Sequence, residues 1–469
     1  MKIKQIVKNK IKYYPKGVSI IEALVLIFIF SVVTMSFYSV FAVGTKYILN
    51  SKNKIIAISL ANERMEMLRN LAYDNVAVVG GIPNGLIDPD ENVAVGDKTF
   101  HVITDITYKD DPDDGVALGS PLDNVPTDYK TAKIIVKWGE ETEGERATLV
   151  SRFVPPGVET SVGGGTFSIN SIDYAGNPVS NVNINIFNDQ VSPIVNYSTT
   201  MDSNGNLLLQ GVPSDLVQNY KITMSKAGYE TVVTYSPLTA GFIPEDAHNN
   251  IIEGVLNEKT IIIDLLSDIA ISSKDSLGDD LPNVTFDIYG GRRLDDGTVD
   301  PSISLGTFSY TDTITTDGDG EFSDNDVNAG KYTLGGFTFA SGDYQFRKVD
   351  LGSDSDPAVF DVVAGTAFNT NVIFMDKNLD SAYICIKDSV SAAVVAGAEV
   401  KLRNTTLGYE TTILTTDKYG YVYFPEAIAT PLQNGETYEV LVSATNYQDK
   451  TDSIVINKFT DRTVNLDSI

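Results

Sequence analysis

The chain has 469 residues, a formal net charge of -27, one cysteine and two histidines. At about 150 residues a domain, this length predicts roughly three domains. So strong a negative charge repels phosphate groups and argues against nucleic-acid partners. A single cysteine excludes an intrachain disulfide and a cysteine-rich zinc site, and two imidazoles weaken a histidine-dependent catalytic site. The composition therefore favours a scaffold over an enzyme.

The N-terminus combines a basic segment with a long apolar one. Residues 1–17 contain six lysines and no acid, and the apolar run 18–43 contains one charge, Glu22. A helix of this length can cross the roughly 30 Å hydrocarbon core of a bilayer, and residues 18–45 are its predicted membrane part. The lysines predict a short cytoplasmic N-terminus and an extracytoplasmic remainder, as in a single-pass membrane protein. A carboxylate in such a helix is costly and requires a reason.

Residues 16–22, with the sequence KGVSIIE, resemble the cleavage and methylation signature of type IV pilins and pseudopilins. The resemblance implies that a prepilin peptidase cuts after Gly17, which ends the leader 1–17, and methylates the new terminus at Val18. It also implies that Glu22 pairs with that amine during assembly with other pilin subunits. Pairing would make both charges tolerable in hydrocarbon. The alternative is a single-pass anchor in which Glu22 has no such role.

Residues 46–157 are predicted to continue the helix and to add a small antiparallel sheet. Apolar residues recur with helical spacing over 56–71, and this region resembles the second half of the long helix in minor pilins and pseudopilins. Strands are predicted over 99–107, 131–137 and 148–154. A pair of prolines then ends this pilin-like domain.

The remaining chain contains an internal repeat with a period of about 100 residues. Each copy has an Asp-x-x-Gly turn after a Thr-rich strand, followed by a strand that opens with tyrosine. The Asp side chain can accept from backbone N–H groups and the Gly supplies positive φ, so each turn is predicted to close a hairpin. The turn residues are Asp202 and Gly205, Asp317 and Gly320, and Asp417 and Gly420.

These repeats resemble the carboxypeptidase regulatory-like fold, a prealbumin-like sandwich related to the B-type repeats of collagen adhesins. The resemblance covers three modules, 163–260, 261–378 and 379–469, with an insertion in the second module around 290–309. It implies stalk or binding modules without catalytic residues, and an overlap with carbohydrate-binding sandwiches implies a glycan as one partner class. The predicted fold class is therefore α+β followed by all-β: a long N-terminal transmembrane helix, a small antiparallel sheet and three Ig-like or prealbumin-like β-sandwich modules.

Two acidic clusters are candidates for calcium, a cation that takes six to eight oxygen ligands. Asp317, Asp319 and Asp324 form the better one, although their spacing is not that of an EF-hand. The second cluster lies in the turn 110–114, and the resemblance implies calcium there because some pseudopilins hold it in a C-terminal loop. Solvated acidic turns are the alternative for both clusters. No other cofactor is expected.

Two lysines and the one cysteine could be reactive, or could be ordinary parts of strands. Lys274 and Lys387 occupy first-strand positions at which some adhesin repeats form a Lys–Asn isopeptide bond, but the acid-containing motif expected after the tyrosine strand is missing. Cys385 alternates with isoleucines in a predicted strand and is expected to be buried and inert.

The sequence thus predicts a minor or tip pilin, or a pseudopilin-like surface protein, that is processed by prepilin peptidase and displays sandwich modules for adhesion or interaction. The alternative is a single-pass membrane-anchored adhesin with carbohydrate-binding-type modules that forms no filament. An enzyme is not expected.

Overall fold

The structure is a computed structural model, and the chain divides in it into two compact units, Met1–Ser161 and Val162–Ile469. The leader, Gly17 and Val18 lie outside the described residues. The structure describes residues 19–113, 115, 123, 127–139, 145–156, 163–297, 307–353, 355, 357–425 and 431–469.

The first described element of the first unit is one long helix, α1 (Ile20–Arg69), whose N-terminal part is apolar and exposed all around. Ile21, Phe30 and Phe41 are 73%, 73% and 70% exposed. Ser31 and Thr34 donate their hydroxyls to backbone carbonyls four residues earlier, so these polar groups are satisfied inside the helix. With a mean hydropathy of 2.5 in its most apolar window, α1 is long and apolar enough to cross a membrane.

The C-terminal part of α1 packs on a four-stranded antiparallel sheet. Ala57, Ala61, Met65 and Leu68 form one helical stripe and are at most 2% exposed. A 3-10 turn, Tyr73–Asn75, follows the helix. The strands lie side by side in chain order and are β1 (Asp90–Val95), β2 (Lys98–Lys109), β3 (Tyr129–Lys137) and β4 (Arg146–Phe153).

The second unit consists of β-strands. Those of the first sandwich are β5 (Gly165–Ile172), β6 (Asn183–Asn188), β7 (Val195–Thr200), β8 (Asn206–Val212), β9 (Asp215–Ser225), β10 (Val232–Val233), β11 (Asn249–Ile251) and β12 (Leu256–Ile262). Those of the second are β13 (Ser267–Asp275), β14 (Val284–Arg293), β15 (Phe308–Thr315), β16 (Glu321–Val327), β17 (Gly330–Phe339), β18 (Tyr344–Val349), β19 (Ala358–Val362) and β20 (Ala367–Asp376). Those of the third are β21 (Ser381–Asp388), β22 (Glu399–Asn404), β23 (Tyr409–Glu410), β24 (Leu414–Thr415), β25 (Tyr421–Phe424), β26 (Thr437–Ser443), β27 (Lys450–Val455) and β28 (Phe459–Leu466).

Each sandwich pairs two sheets built from its own strands. In the first sandwich the two sheets have the strand orders β10-β9-β6-β7 and β12-β5-β8, and β11 also pairs with β9. In the second sandwich the orders are β16-β13-β20-β18 and β15-β14-β17-β19. In the third they are β25-β21-β28 and β23-β22-β26-β27, and β24 also pairs with β22. The first and last strands of each sandwich pair in parallel, and the other neighbouring strands are antiparallel. The predicted fold class is confirmed.

The module limits predicted from the sequence differ from the strands at one place. Strand β12 continues across the predicted limit at 260, because Ile261 and Ile262 still pair with Ser171 and Ile172 of β5. The limit at 378 falls between strands β20 and β21. The insertion predicted around 290–309 lies partly outside the described residues.

The repeated Asp-x-x-Gly turns do not close hairpins, so that prediction is wrong. Strands β7 and β8, on either side of Asp202 and Gly205, belong to different sheets, and the turn carries the chain across the sandwich. Asp202 Oδ1 accepts from the N–H groups of Asn204 and Asn206, each at 2.8 Å. A Cβ atom on Gly205, whose φ is 71°, would lie 2.7 Å from the carbonyl oxygen of Ser171 in β5. The turn therefore needs glycine because it docks on the first strand.

The other two turns repeat this geometry. Asp317 and Asp417 accept the corresponding pairs of N–H groups at 2.8 to 3.0 Å. A Cβ on Gly320 or Gly420 would lie 2.9 or 2.8 Å from a carbonyl oxygen of the first strand of that sandwich. The identical local chemistry explains why these residues recur in the sequence.

A buried tyrosine in the second strand after each turn is another repeated feature, although the tyrosine lies inside that strand and does not open it as predicted. Tyr220, Tyr332 and Tyr438 are all 0% exposed. Their hydroxyls bond to backbone a few residues upstream, at 2.6 Å to the Pro213 carbonyl, at 2.8 Å to the Asn328 carbonyl and at 3.0 Å from the Gln433 N–H. Each ring fills the core while its one polar group is satisfied, as buried tyrosine requires.

The packing of α1 on the sheet predicts that replacing Met65 or Met67 by alanine lowers the free energy of unfolding by different amounts. Met65 is 1% exposed and Met67 is 46% exposed. We expect Met65→Ala to lower the free energy of unfolding of this unit by about 2–5 kcal/mol because it leaves a cavity, and Met67→Ala to change it by about 0.5 kcal/mol or less. Trp138, the one tryptophan of the chain, is buried in the same unit, so its fluorescence reports the transition. Equal effects of the two substitutions would contradict the packing.

Candidate functional site

Glu22 lies in the first turn of α1, among apolar side chains exposed along the helix. Its neighbours Ile21, Leu24 and Val25 are 73%, 61% and 50% exposed. A carboxylate at this position also interacts favourably with the N-terminal end of the helix dipole. The other two residues of the predicted processing signature, Gly17 and Val18, lie outside the described residues.

The calcium ligands predicted in the second sandwich are not brought together. Asp317 Oδ1 accepts from the N–H groups of Asp319 and Glu321 at 2.9 and 2.8 Å, as the turn requires. Asp324 accepts instead from the hydroxyl of Tyr310 at 2.6 Å. Among the described residues, the carboxylates that lie close enough together to share a metal ion are in the first unit.

A group of three carboxylates lies in the first unit, after β2 and before β3. Ligand oxygens of Asp110, Asp123 and Asp128 all lie within 4.8 Å of one another, and Asp128 is 6% exposed. Oxygen donors of this kind are the set that Ca²⁺ prefers. Asp110 belongs to the acidic turn predicted as a candidate, whereas Asp123 and Asp128 could not be selected from spacing because they lie well after that turn in the sequence. Calcium binding stays a prediction.

The other described acids of the turn 110–114 make contacts outside this group of three ligand oxygens. The backbone N–H of Asp111 donates to Asp128, and the Asp111 carboxylate lies 3.6 Å from Arg152. Asp113 donates its N–H to Asp111 at 3.4 Å. Asp114 lies outside the described residues.

A buried lysine lies two residues beyond Asp128. Lys130 is 1% exposed, and its Nζ donates to the carbonyl oxygen of Tyr73 at 2.8 Å. The same nitrogen lies 4.6 and 5.4 Å from the ring centroids of Tyr73 and Tyr108. Burial lowers the pKa of Lys130 to about 8, and the charge of Asp74 opposes this shift. Lys130 could not be recognised as buried from the sequence, because it lies in an ordinary alternating strand.

The lowered pKa of Lys130 predicts a pH dependence of stability. Between pH 8 and the ordinary lysine value of 10.5, the unfolded chain holds a proton that the folded chain has released, so the free energy of unfolding rises with pH. The slope has an upper limit of about 1.4 kcal/mol per pH unit. Above pH 10 Tyr73 opposes it, because burial raises the pKa of that phenol to about 12.

Denaturant titrations followed by Trp138 fluorescence from pH 8 to pH 10 measure this slope. We expect Lys130→Met to remove it and Lys133→Met, on the exposed side of the same strand, to keep it. The same slope in both variants would show that another group carries the pH dependence.

The first-strand positions of the sandwiches are also explained by the structure. Cys385 is 2% exposed, which confirms that it is buried, and desolvation raises the pKa of its thiol. Lys387 pairs in register with Asn465 of the neighbouring strand β28. Its neighbour Ile386 points into the core of the sandwich, and because side chains alternate along a strand, Lys387 lies on the outer face of the sheet. Lys274 forms an ion pair with Asp280. An isopeptide bond stays untested.

An ion-pair network joins the first and second sandwiches. Arg292, in β14, donates to Glu230 at 2.7 Å, to Asp246 at 2.5 Å and to the carbonyl oxygen of Ile262 at 3.0 Å. Lys259 lies 3.8 Å from Asp246. Glu230 is 3% exposed; its burial raises the pKa of its carboxyl, and the charge of Arg292 opposes that shift. Sequence reasoning missed this network because its members are far apart in the chain.

The second and third sandwiches meet through aromatic side chains. Met375, Tyr383 and Tyr423 form a small buried cluster outside the sandwich cores. The guanidinium carbon of Arg347 lies 5.2 Å from the ring centroid of Tyr423. Tyr419 donates its hydroxyl to the carbonyl oxygen of Gly352 at 2.7 Å. The two junctions of this unit are therefore built differently, one from ion pairs and one from rings.

Breaking the ionic junction is expected to be costly. Arg292→Ala leaves the buried Glu230 without its cation and leaves Asp246 with Lys259 alone, at 3.8 Å. We therefore expect a loss of about 3–5 kcal/mol in the free energy of unfolding of this unit. The control is Arg403→Ala, which removes an exposed pair with Glu439 and should cost about 1 kcal/mol or less. Scanning calorimetry of the full chain measures both variants. Equal, small effects would show that the network contributes little.

Comparison with known proteins does not assign this chain to a family. No family model matches the chain, and no curated protein is similar to it. Among solved structures, the Bacillus anthracis TIE protein matches with 14% identity over 81% of this chain and 74% of that one, at a TM-score of 0.19. A streptococcal ancillary pilin matches with 12% identity over 65% and 99%, also at 0.19. GBS52, a minor pilin of Streptococcus agalactiae, matches with 13% identity over 43% and 96%, at 0.17. TM-scores this low carry no argument about this chain.

Proposed function

We propose that this chain is a minor or tip subunit of a type IV pilin-like assembly, or a pseudopilin-like surface protein. Prepilin peptidase cuts it after Gly17 and methylates Val18, and Glu22 joins it to other subunits. The helix holds the protein in the membrane or the filament, and the protein displays the sandwiches for adhesion or interaction.

The observation that supports this proposal most strongly is the division of α1. Its apolar N-terminal part is exposed on every side and has one carboxylate, Glu22, at its start. Its C-terminal part packs on a four-stranded sheet through Ala57, Ala61, Met65 and Leu68. A helix built in this way can belong at once to a bilayer or helical bundle and to a folded domain outside it.

The size of the second unit favours a place at the tip or a low copy number. Three sandwiches follow the pilin-like domain, and at roughly 35 Å for a domain of this size such bulk is hard to repeat on every subunit of a thin fibre. A single-pass adhesin uses the same helix only as an anchor, and Glu22 distinguishes the two functions.

We expect Glu22→Gln to be cut by prepilin peptidase and to remain in the membrane, yet to be lost from sheared filaments, because the amide cannot neutralise the N-terminal ammonium of a neighbour. The matched control is Glu63→Gln, an exposed acid farther along α1, which should enter filaments like the wild type. The measurement is immunoblotting of sheared and membrane fractions. Equal recovery of both variants with the wild type in sheared filaments would contradict a role of Glu22 in assembly. Absence of the wild type from that fraction would favour the anchored adhesin.

A further inference from the structure

A cleft of about 460 Å³ lies between the first and second sandwiches, beside the ion-pair network. Tyr229 and Tyr235 line it from the first sandwich. Phe308, Asp326 and Asn328 line it from the second. Pockets of this size hold small molecules, whereas protein partners use broader and flatter surfaces.

Aromatic side chains supply the apolar part of this cleft. Tyr229, Tyr235 and Phe308 are all partly exposed, and each also packs on one neighbour. Lys226 Nζ lies 4.5 Å from the ring centroid of Tyr229, Phe242 lies 5.6 Å from that of Tyr235, and Tyr289 lies 6.2 Å from that of Phe308. These contacts fix the rings in position and so reduce the ordering cost of binding.

Polar groups in the same cleft offer both hydrogen-bond donors and acceptors. Asn328 Nδ2 donates to the hydroxyl oxygen of Ser309 at 2.9 Å, which orients its amide. The exposed carboxylate of Asp326 is an acceptor, and the backbone of Asp326 is held in a left-handed conformation with φ of 61°. A ligand that fits must therefore present hydroxyl-type groups that donate as well as accept.

The charge of the cleft argues against an anionic ligand. Among the described residues that line the cleft, Arg292 is the one cation, and its guanidinium is already bound to Glu230 and Asp246. The carboxylate of Asp326 adds negative charge, and the chain as a whole has a net charge of -27. Phosphate, sulfate and sialic acid would all be repelled.

We propose that this junction cleft binds a neutral saccharide. A sugar ring has an apolar C–H face that can pack on tyrosine and phenylalanine, and hydroxyls that match the carboxylate and amide at the edge of the cleft. Arg292 is a positioning residue here: it fixes the two sandwiches against each other and so forms the cleft from both. This inference deepens the adhesive role in the proposed function and rests on it.

The test uses the full chain in a detergent that has no sugar headgroup, applied to a glycan array with neutral, sialylated and sulfated oligosaccharides. We expect binding to neutral glycans only. Tyr235→Ala and Asp326→Ala should each weaken binding to the best neutral glycan by about tenfold or more, a difference of about 1.4 kcal/mol. Asp326 is exposed, and Asp326→Asn, which tolerates the same left-handed backbone, keeps the test valid even where Tyr235→Ala or Asp326→Ala disturbs folding.

The matched controls are Tyr174→Ala and Asp449→Ala, exposed residues outside the cleft, which should bind like the wild type. No binding of the wild type to neutral glycans, binding to sialylated or sulfated glycans alone, or equal binding by all four variants would overturn the proposal. The intact mass of the same preparations reports prepilin processing separately, so failure of the cleft proposal is distinguishable from failure of the proposed function.

Discussion

One helix has to satisfy two environments, and the rest of the first unit depends on how α1 does so. Its N-terminal part exposes apolar side chains all around, which water disfavours and hydrocarbon or a helical bundle does not. Farther along, the apolar surface narrows to the stripe that ends at Met65 and Leu68, and the sheet covers it. Between these parts, Trp138 donates to Asn50 at 2.7 Å and ties the sheet to the middle of the helix. One continuous helix therefore links a lipid-type surface rigidly to a folded domain.

The second unit depends on a different contact, repeated three times. Each Asp-x-x-Gly turn docks its glycine on the first strand of its sandwich: the carbonyl oxygens of Gly205, Gly320 and Gly420 accept from that strand at 2.8 Å. The turn therefore carries the chain from one sheet to the other and holds the start of the next strand against the first strand. Because the first and last strands also pair in parallel, each sandwich begins and ends on the same sheet.

Much of the fold was predictable because it depends on local chemistry. The apolar run, the alternating strands and the repeated turn residues each have a period or a φ requirement that the sequence displays. The direction of the chain after each turn was not predictable, because Asp202 and Gly205 satisfy the same local hydrogen bonds in a hairpin and in a crossover. The network around Arg292 was also hidden, since it depends on tertiary contacts between residues far apart in the chain. For the same reason the sequence offered the Asp317 cluster and the turn at 110–114 about equally for calcium, whereas the structure groups Asp110 with Asp123 and Asp128.

We propose that the exposed apolar part of α1 enters a membrane or filament as a processed pilin helix. Intact mass and N-terminal sequencing of the protein, extracted from membranes of cells with an active prepilin peptidase, test this directly. We expect a mature chain that begins with N-methylated Val18. A chain that still begins at Met1 would contradict it, and would leave a single-pass anchor that carries three sandwiches.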